Sequence, residues 1–358
     1  MKIGFLIRNL ENGGGTERVT SVLASRLAED GYDTSIISCR DGLSCKYRLS
    51  DKIKLISLNG ERESNFFVRK LKTYSNLKKV VSQQNLDILV VVDVGLFLYC
   101  KGLPASCKYI AWEHFNYYIN KGILRRIARN YAVHNADCLV VLGKNDYNNY
   151  VTHYKNIQRI EYIYNASEMD FSSNADIDSH KMIAVGRLDY QKGFDMLIDA
   201  WGRIEKEIPD WSMEIYGEGS DKEELQSKID NLHLQHIKLM GYSKNIKEKM
   251  LESSVFVLSS RYEGFVLVLI EALALALPIV SFDCKEGPAE LIQNGENGFL
   301  IEPDNVEKLA DGMQKLALDR DKRLLFASNA RKGLDRFELD SVVEKWEKLF
   351  DTLVKEKQ

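Results

Sequence analysis

VFVLSSRYEGFVLVLIEALALALPIVSF, residues 255–282, reads as strand, loop, helix and strand. The run 255–258 is short, apolar and β-branched, the pattern of a strand buried on both faces. Ser, Arg, Tyr and Gly interrupt it. An apolar helical stretch follows and must end before Pro278, and a second core strand occupies 279–282. The fifteen residues 266–280 fall short of the ~20 that cross a bilayer and contain Glu271, so burial inside a protein explains them better. The unit is a parallel βαβ.

The same alternation extends in both directions. Strands are predicted at 2–7, 34–38, 53–58, 88–92, 109–112, 138–142 and 159–163, and a second series at 182–185, 213–216, 237–240, 255–258, 279–282 and 298–301. Segments with 3.6-residue apolar spacing separate them, which makes an α/β protein with parallel sheets under helices. The polar stretch 165–181, NASEMDFSSNADIDSHK, reads as a break. The expected division is a domain at 1–165, a linker at 166–180, a second domain at 181–338 and a last helix at 339–358. In that helix Leu339, Val342, Val343, Trp346, Leu349, Phe350 and Leu353 form an apolar stripe that must pack on something.

With 358 residues, 45% of them hydrophobic and 28% charged, the chain is an ordinary globular protein of two domains. Its net charge of −3 excludes a surface built wholly for nucleic acid. That sum conceals an asymmetry. Residues 1–170 carry 24 Lys and Arg against 17 Asp and Glu, whereas 171–358 carry 25 against 35. The six cysteines form no CxxC pair and sit in or beside apolar runs, as reduced core thiols do. The apolar run 3–7 before Arg8 is too short for a signal peptide, so a cytoplasmic location is expected.

Four loops carry candidate chemistry, each following a predicted strand. Open α/β sheets bind ligands at the carboxyl ends of their strands. Glu271 sits in the otherwise apolar helix, where an ionised carboxylate needs a partner or a ligand. Glu263 precedes it by eight residues, and the amides of Gly264, Phe265 and Val266 at the helix start suit an anion. A core Arg for Glu271 and a capping role for Glu263 explain these two equally well. In GRLDYQKG, 186–193, Arg187 and Lys192 suit a diphosphate, one as a planar fork and one as a point charge. Asn12-Gly13-Gly14-Gly15-Thr16 lets backbone approach a ligand, with Thr16 as the expected helix cap, although a tight turn accounts for it too. His114, in AWEHFNY, is a polar group in an aromatic setting, and on its own reads as a satisfied core histidine.

Taken together, GRLDYQKGFDMLIDAW, WSMEIYGEGSDKEEL, SRYEGFVLVLIEALALALPIVSFDCKEGPAELI, NGENGFLI and the early NGGGTERV resemble the family 4 retaining glycosyltransferases over nearly the whole chain. The resemblance implies the GT-B fold: two Rossmann-like domains facing across a cleft, with the C-terminal helix crossing back to the first. It implies that Arg187 and Lys192 hold the diphosphate of a nucleotide-sugar, Glu263 the sugar hydroxyls beside the Gly264, Phe265 and Val266 amides, and Glu271 the ribose. Met240 and Gly241 would flank the base, Gly14 and Gly15 would approach the donor from the other domain, and His114 would contact the sugar near the reacting carbon. Val266 stands where the family has proline, Leu275-Ala276 where it has Cys-Gly, and Ala166 where a proline commonly follows Asn165. The Asp-x-Asp triplets at 176–178 and 319–321 lie in the break and beside a helix, so no metal and no cofactor beyond the nucleotide-sugar is expected.

The expected activity is therefore retaining transfer of a hexose or N-acetylhexosamine, UDP-linked by default, to a saccharide acceptor on a lipid carrier in cell-surface polysaccharide synthesis. Two basic clusters, Arg62, Arg69, Lys70, Lys72, Lys78 and Lys79, and Lys121, Arg125, Arg126 and Arg129, would rest on the anionic inner face of the membrane as peripheral contacts. Charge runs are also commonly plain solvated faces. The alternatives are a nucleotide-sugar epimerase of the same architecture and a non-catalytic partner subunit.

Overall fold

The computed structural model describes all residues except 41, 59–64, 120, 121, 168–170, 357 and 358, and only the backbone of Phe66. Packing divides the chain into two compact units, Met1–Ala166 with Arg336–Gln358, and Ser167–Asp335.

Unit 1 holds seven strands: β1 (Lys2–Ile7), β2 (Asp33–Ser38), β3 (Lys54–Ser57), β4 (Ile88–Val92), β5 (Lys108–Trp112), β6 (Cys138–Val141) and β7 (Ile160–Tyr162). They run in the order β3-β2-β1-β4-β5-β6-β7 with every pair parallel. All five residues of β4, ILVVV, are buried, because helices cover both faces of a parallel sheet. Strand order reverses between β1 and β4, which makes their carboxyl ends the switch point where such sheets open to ligands.

The last helix, Leu339–Lys355, belongs to this unit. Its apolar stripe finds the end of β5: the Trp346 ring stands edge-on to Trp112 at 5.0 Å, and Trp346 and Phe350 are fully buried. Each such side chain contributes about 1.5–3 kcal/mol by leaving water.

Unit 2 holds β8 (Lys181–Val185), β9 (Ser212–Tyr216), β10 (Ile237–Gly241), β11 (Val255–Leu258), β12 (Ile279–Phe282) and β13 (Gly298–Ile301), in the order β10-β9-β8-β11-β12-β13, again parallel throughout. Its switch point lies between β8 and β11. The thirteen predicted strands are all present, and no end is shifted by more than one residue. Both sheets are those of the GT-B fold.

Several expectations change in detail. Most of the described stretch read as a linker is bonded to unit 2: Ala175 N–H donates to Leu275 O at 2.8 Å, Asp176 N–H to Leu251 O at 2.8 Å, and the Arg331 guanidinium to Ser173 O at 2.7 Å. One carboxylate of each Asp-x-Asp triplet makes a clear structural contact. Asp178 takes a two-pronged contact from Arg320 at 2.9 and 2.8 Å, and Asp319 caps the helix Arg320–Asn329. Ala276, in the place of the family's glycine, has φ 57. An L-residue pays about 1–2 kcal/mol for that left-handed conformation.

Candidate active site

In unit 2 the chemistry gathers where the sheet reverses. The loop after β8 brings Lys192 under the loop after β11, and Lys192 Nζ lies 2.7 Å from Glu263 Oε1, with both side chains largely buried. Ser260 Oγ donates to the same oxygen at 2.6 Å, and Gln191 Nε2 donates to Oε2 at 3.4 Å. Ser259 Oγ and Arg261 N–H bind the carbonyls of Lys192 and Gln191, at 2.9 Å each, and so lock the two loops together.

Glycines make this closeness possible. Gly193 has φ 62, and a Cβ there would stand 2.1 Å from Ser259 O. A Cβ on Gly217 would meet Gly186 O at 1.8 Å, and one on Gly219 would meet Leu188 O at 2.1 Å. All three neighbours are backbone atoms, so none can yield. The Lys192 stem crosses Gly186, whose Cβ would sit 3.0 Å from three of its carbons.

Arg187 is held differently. Its side chain is 74% exposed and touches Asp189 at 3.1 Å, which leaves most of the fork facing water. Glu271 corrects an expectation. The helix is short, Leu267–Ala274, and although Leu269, Ile270, Ala272, Leu273 and Ala274 are buried, Leu267, Val268 and Glu271 share a half-buried stripe. The carboxylate therefore lies on the accessible side of a helix that is not apolar all round. Among the described residues the amides of Gly264 and Val266, just before this helix, donate to nothing. At the end of β10, Gly241 has φ 77 and accepts from Gly217 N–H at 2.9 Å, with Met240 half exposed beside it.

In unit 1, Gly14 caps the helix Gly15–Glu29, displacing Thr16 from that role, and Glu17 Oε2 accepts the Gly14 N–H at 3.0 Å. A Cβ on Gly15 would meet nothing within 4 Å. His114 is buried against Trp112, with ring centroids 4.4 Å apart, and no hydrogen bond reaches Nε2 from the described residues. Burial lowers its pKa to about 4, so the ring is neutral at pH 7.

Beneath His114 lies a network that sequence reasoning placed elsewhere. Arg125 Nη1 is 2.6 Å from Asp93 at the end of β4, and its Nη2 is 2.5 Å from Glu113 at the end of β5. Arg129 adds a contact to Glu113 at 3.5 Å and donates to Tyr117 O at 2.6 Å. Burial pushes Glu113 up to about 7, against the opposing pull of Arg125. Both arginines were assigned to a membrane-facing cluster. They are instead buried counter-ions, and of that cluster only Arg126 is both described and exposed. Arg62 and Lys121 lie outside the described residues.

The other cluster lies along the helix Phe66–Gln84. Leu77 and Val81 are buried as its stripe requires, but Phe67 and Leu71, counted in that stripe, are 74% and 69% exposed. Arg69, Lys70 and Lys72 are half-buried, and Lys78 and Lys79 exposed. Among the described residues no helix is long and apolar enough to cross a membrane.

Comparison with known proteins gives this arrangement a family. A model described as Glycosyltransferase Family 4 matches residues 13–171, and one described as Glycosyl transferases group 1 matches 165–333. The amylovoran biosynthesis glycosyltransferase AmsD of Erwinia amylovora is 28% identical over 357 residues, covering 96% of this chain and 98% of its own. A Campylobacter jejuni protein named GalNAc-alpha-(1->4)-GalNAc-alpha-(1->3)-diNAcBac-PP-undecaprenol alpha-1,4-N-acetyl-D-galactosaminyltransferase is 27% identical, with 98% of each chain covered. The structure of Anabaena HepE in complex with UDP and glucose shares the fold at a TM-score of 0.82 and 19% identity, covering 98% of this chain and 99% of that one. The two models span 13–333 between them, taking in both switch-point loops, and the chain belongs to the family 4 glycosyltransferases.

Proposed function

We propose that the protein transfers a hexose or N-acetylhexosamine from a UDP-sugar to a hydroxyl of a lipid-linked saccharide, with retention of configuration, in cell-surface polysaccharide synthesis. The observation that carries this reading is the Lys192–Glu263–Ser260 cluster at the unit 2 switch point, beside the outward fork of Arg187. The acceptor oxygen attacks the anomeric carbon from the face that the diphosphate leaves, and the departing diphosphate takes the acceptor's proton. Arg187 and Lys192 stabilise the charge that develops on that leaving group. Glu263 orients Lys192 and binds sugar hydroxyls, with the Gly264, Phe265 and Val266 amides nearby. Glu271 binds the ribose hydroxyls, and Met240 and Gly241 the base. Gly14, Gly15 and His114 are assigned to the donor sugar. Because His114 is neutral, its role is hydrogen bonding and not proton transfer. No metal or separate cofactor enters the step.

Thermal shift across UDP, GDP and ADP tests the donor. UDP at 100 times its Kd is expected to stabilise the chain by about 2.7 kcal/mol, and no shift with any of the three overturns the donor site.

The acceptor's lipid carrier is supported by the names of relatives and by the exposed Phe67 and Leu71, which share a helix face with Lys78. Vesicles containing anionic lipid are expected to float the protein at low salt, and a Phe67→Asp/Leu71→Asp variant is expected to stay behind. Absence of wild-type flotation counts against this surface.

A further inference from the structure

The function above leaves a cavity of about 900 Å³ on unit 1 unused. It opens beside the helices Ile123–Asn135 and Lys144–His153, which follow β5 and β6 and return along the same side of the sheet. Tyr117 and Tyr118, three and four residues beyond His114, stand at one end, and His134 and Tyr154 lie further along.

Its lining is aromatic and cationic. Tyr117 stacks on His153 at 4.6 Å and 27°, and Tyr154 stacks on buried Tyr150 at 5.7 Å and 16°. The Nδ1 atoms of His134 and His153 each lie 2.8 Å from the carbonyl four residues back, which fixes both rings and leaves Nε2 for an outside group. In the neutral ring Nδ1 donates to that carbonyl, so Nε2 accepts, as a sugar hydroxyl requires. Arg126 is exposed with no acidic partner among the described residues, and no Asp or Glu lines the cavity. Such a lining rejects a cation and suits a ligand with flat apolar faces, many hydroxyls and negative charge.

We propose that this groove binds an anionic oligosaccharide, the already-built part of the acceptor, leading away from the His114 loop. Sugar C–H faces lie on the Tyr117 and Tyr154 rings, hydroxyls meet His134 and His153, and a carboxylate or phosphate on the chain pairs with Arg126. The assignment to the acceptor rests on the transferase reading, but the binding itself does not.

Saturation-transfer NMR on the full chain tests it, with tetragalacturonate, neutral maltotetraose and inorganic phosphate as probes at low salt. Tetragalacturonate is expected to bind saturably and maltotetraose more weakly, with phosphate displacing only part of the signal. Arg126→Glu is expected to weaken tetragalacturonate about tenfold, the loss of one charge-assisted hydrogen bond. His134→Ala/His153→Ala should weaken both saccharides. These positions are exposed, and an unchanged melting temperature confirms that the variants fold. The proposal falls if tetragalacturonate does not saturate, if maltotetraose binds equally well, if phosphate displaces it completely, or if the variants bind like the wild type. UDP stabilisation measured on the same samples separates the two readings. Its absence in the wild type counts against the donor site alone, and its retention in Arg126→Glu confines any loss to the groove.

Discussion

Lys192→Ala is expected to lower turnover by about 10²–10³-fold, the usual cost of removing one preorganised contact to charge that develops in the transition state. The size follows from burial. Lys192 is 15% exposed and Glu263 6%, so the ammonium acts with little competition from water. Part of the loss should appear as weaker UDP stabilisation, because the same charge meets the diphosphate of the bound donor. Lys192→Arg is not a conservative rescue. The lysine stem lies flat across Gly186, and a branched planar guanidinium has a different shape and reach. Glu263→Ala should cost a similar factor, because Lys192, Ser260 and Gln191 all lose the carboxylate that orders them. Steady-state transfer and UDP melting curves check both. Unchanged turnover on the true substrates in either variant removes the donor assignment.

Arg125→Ala is expected to destabilise the protein by about 3–5 kcal/mol, the range for breaking a buried charge pair by deleting one partner. The arginine bridges carboxylates that follow two adjacent strands, and among the described residues its removal leaves Asp93 without a cation and Glu113 with the longer Arg129 contact as its one ion pair. Asp93 also holds an unusual backbone, φ 90, while its carboxylate accepts Gly95 N–H at 2.8 Å. The melting temperature should fall by roughly 2–4 °C per kcal/mol. The exposed neighbour substitution Arg126→Ala should shift it little. Equal melting temperatures for Arg125→Ala and the wild type contradict the network.

The fold was legible because parallel sheets write their strands as apolar runs, and thirteen such runs separated by helical spacing leave few architectures. The partnership of Lys192 and Glu263 was only half legible. Each follows a strand, but their strands are neighbours because the sheet doubles back, and strand order is not a local property of sequence. Ser260 and Gln191 carried no signal of their own, being ordinary polar residues in loops.

Arg125 and Arg129 were misread because a buried cation and a solvated one look alike in composition. A signal did exist. Glu113 ends a strand buried almost throughout and needed a counter-charge, and two arginines four apart share a helix face with Ala128 and Ala132. Glu271 was misread in the opposite sense. Leucine and valine on a short helix made every side look internal, when one stripe faces out.

The placement of Trp346 has a consequence for biosynthesis. Unit 1 is discontinuous in sequence, and its core beside Trp112 is completed by residues that are synthesised after the whole of unit 2. Unit 2 lies between the two pieces and is contiguous, so it can close while the first piece still lacks its final helix. Amino-terminal domains ordinarily fold first during synthesis. Here the order of completion is inverted, and a nascent chain that has emerged from the ribosome only as far as residue 335 can hold a finished Ser167–Asp335 unit behind an amino-terminal half that still exposes the Trp112 surface.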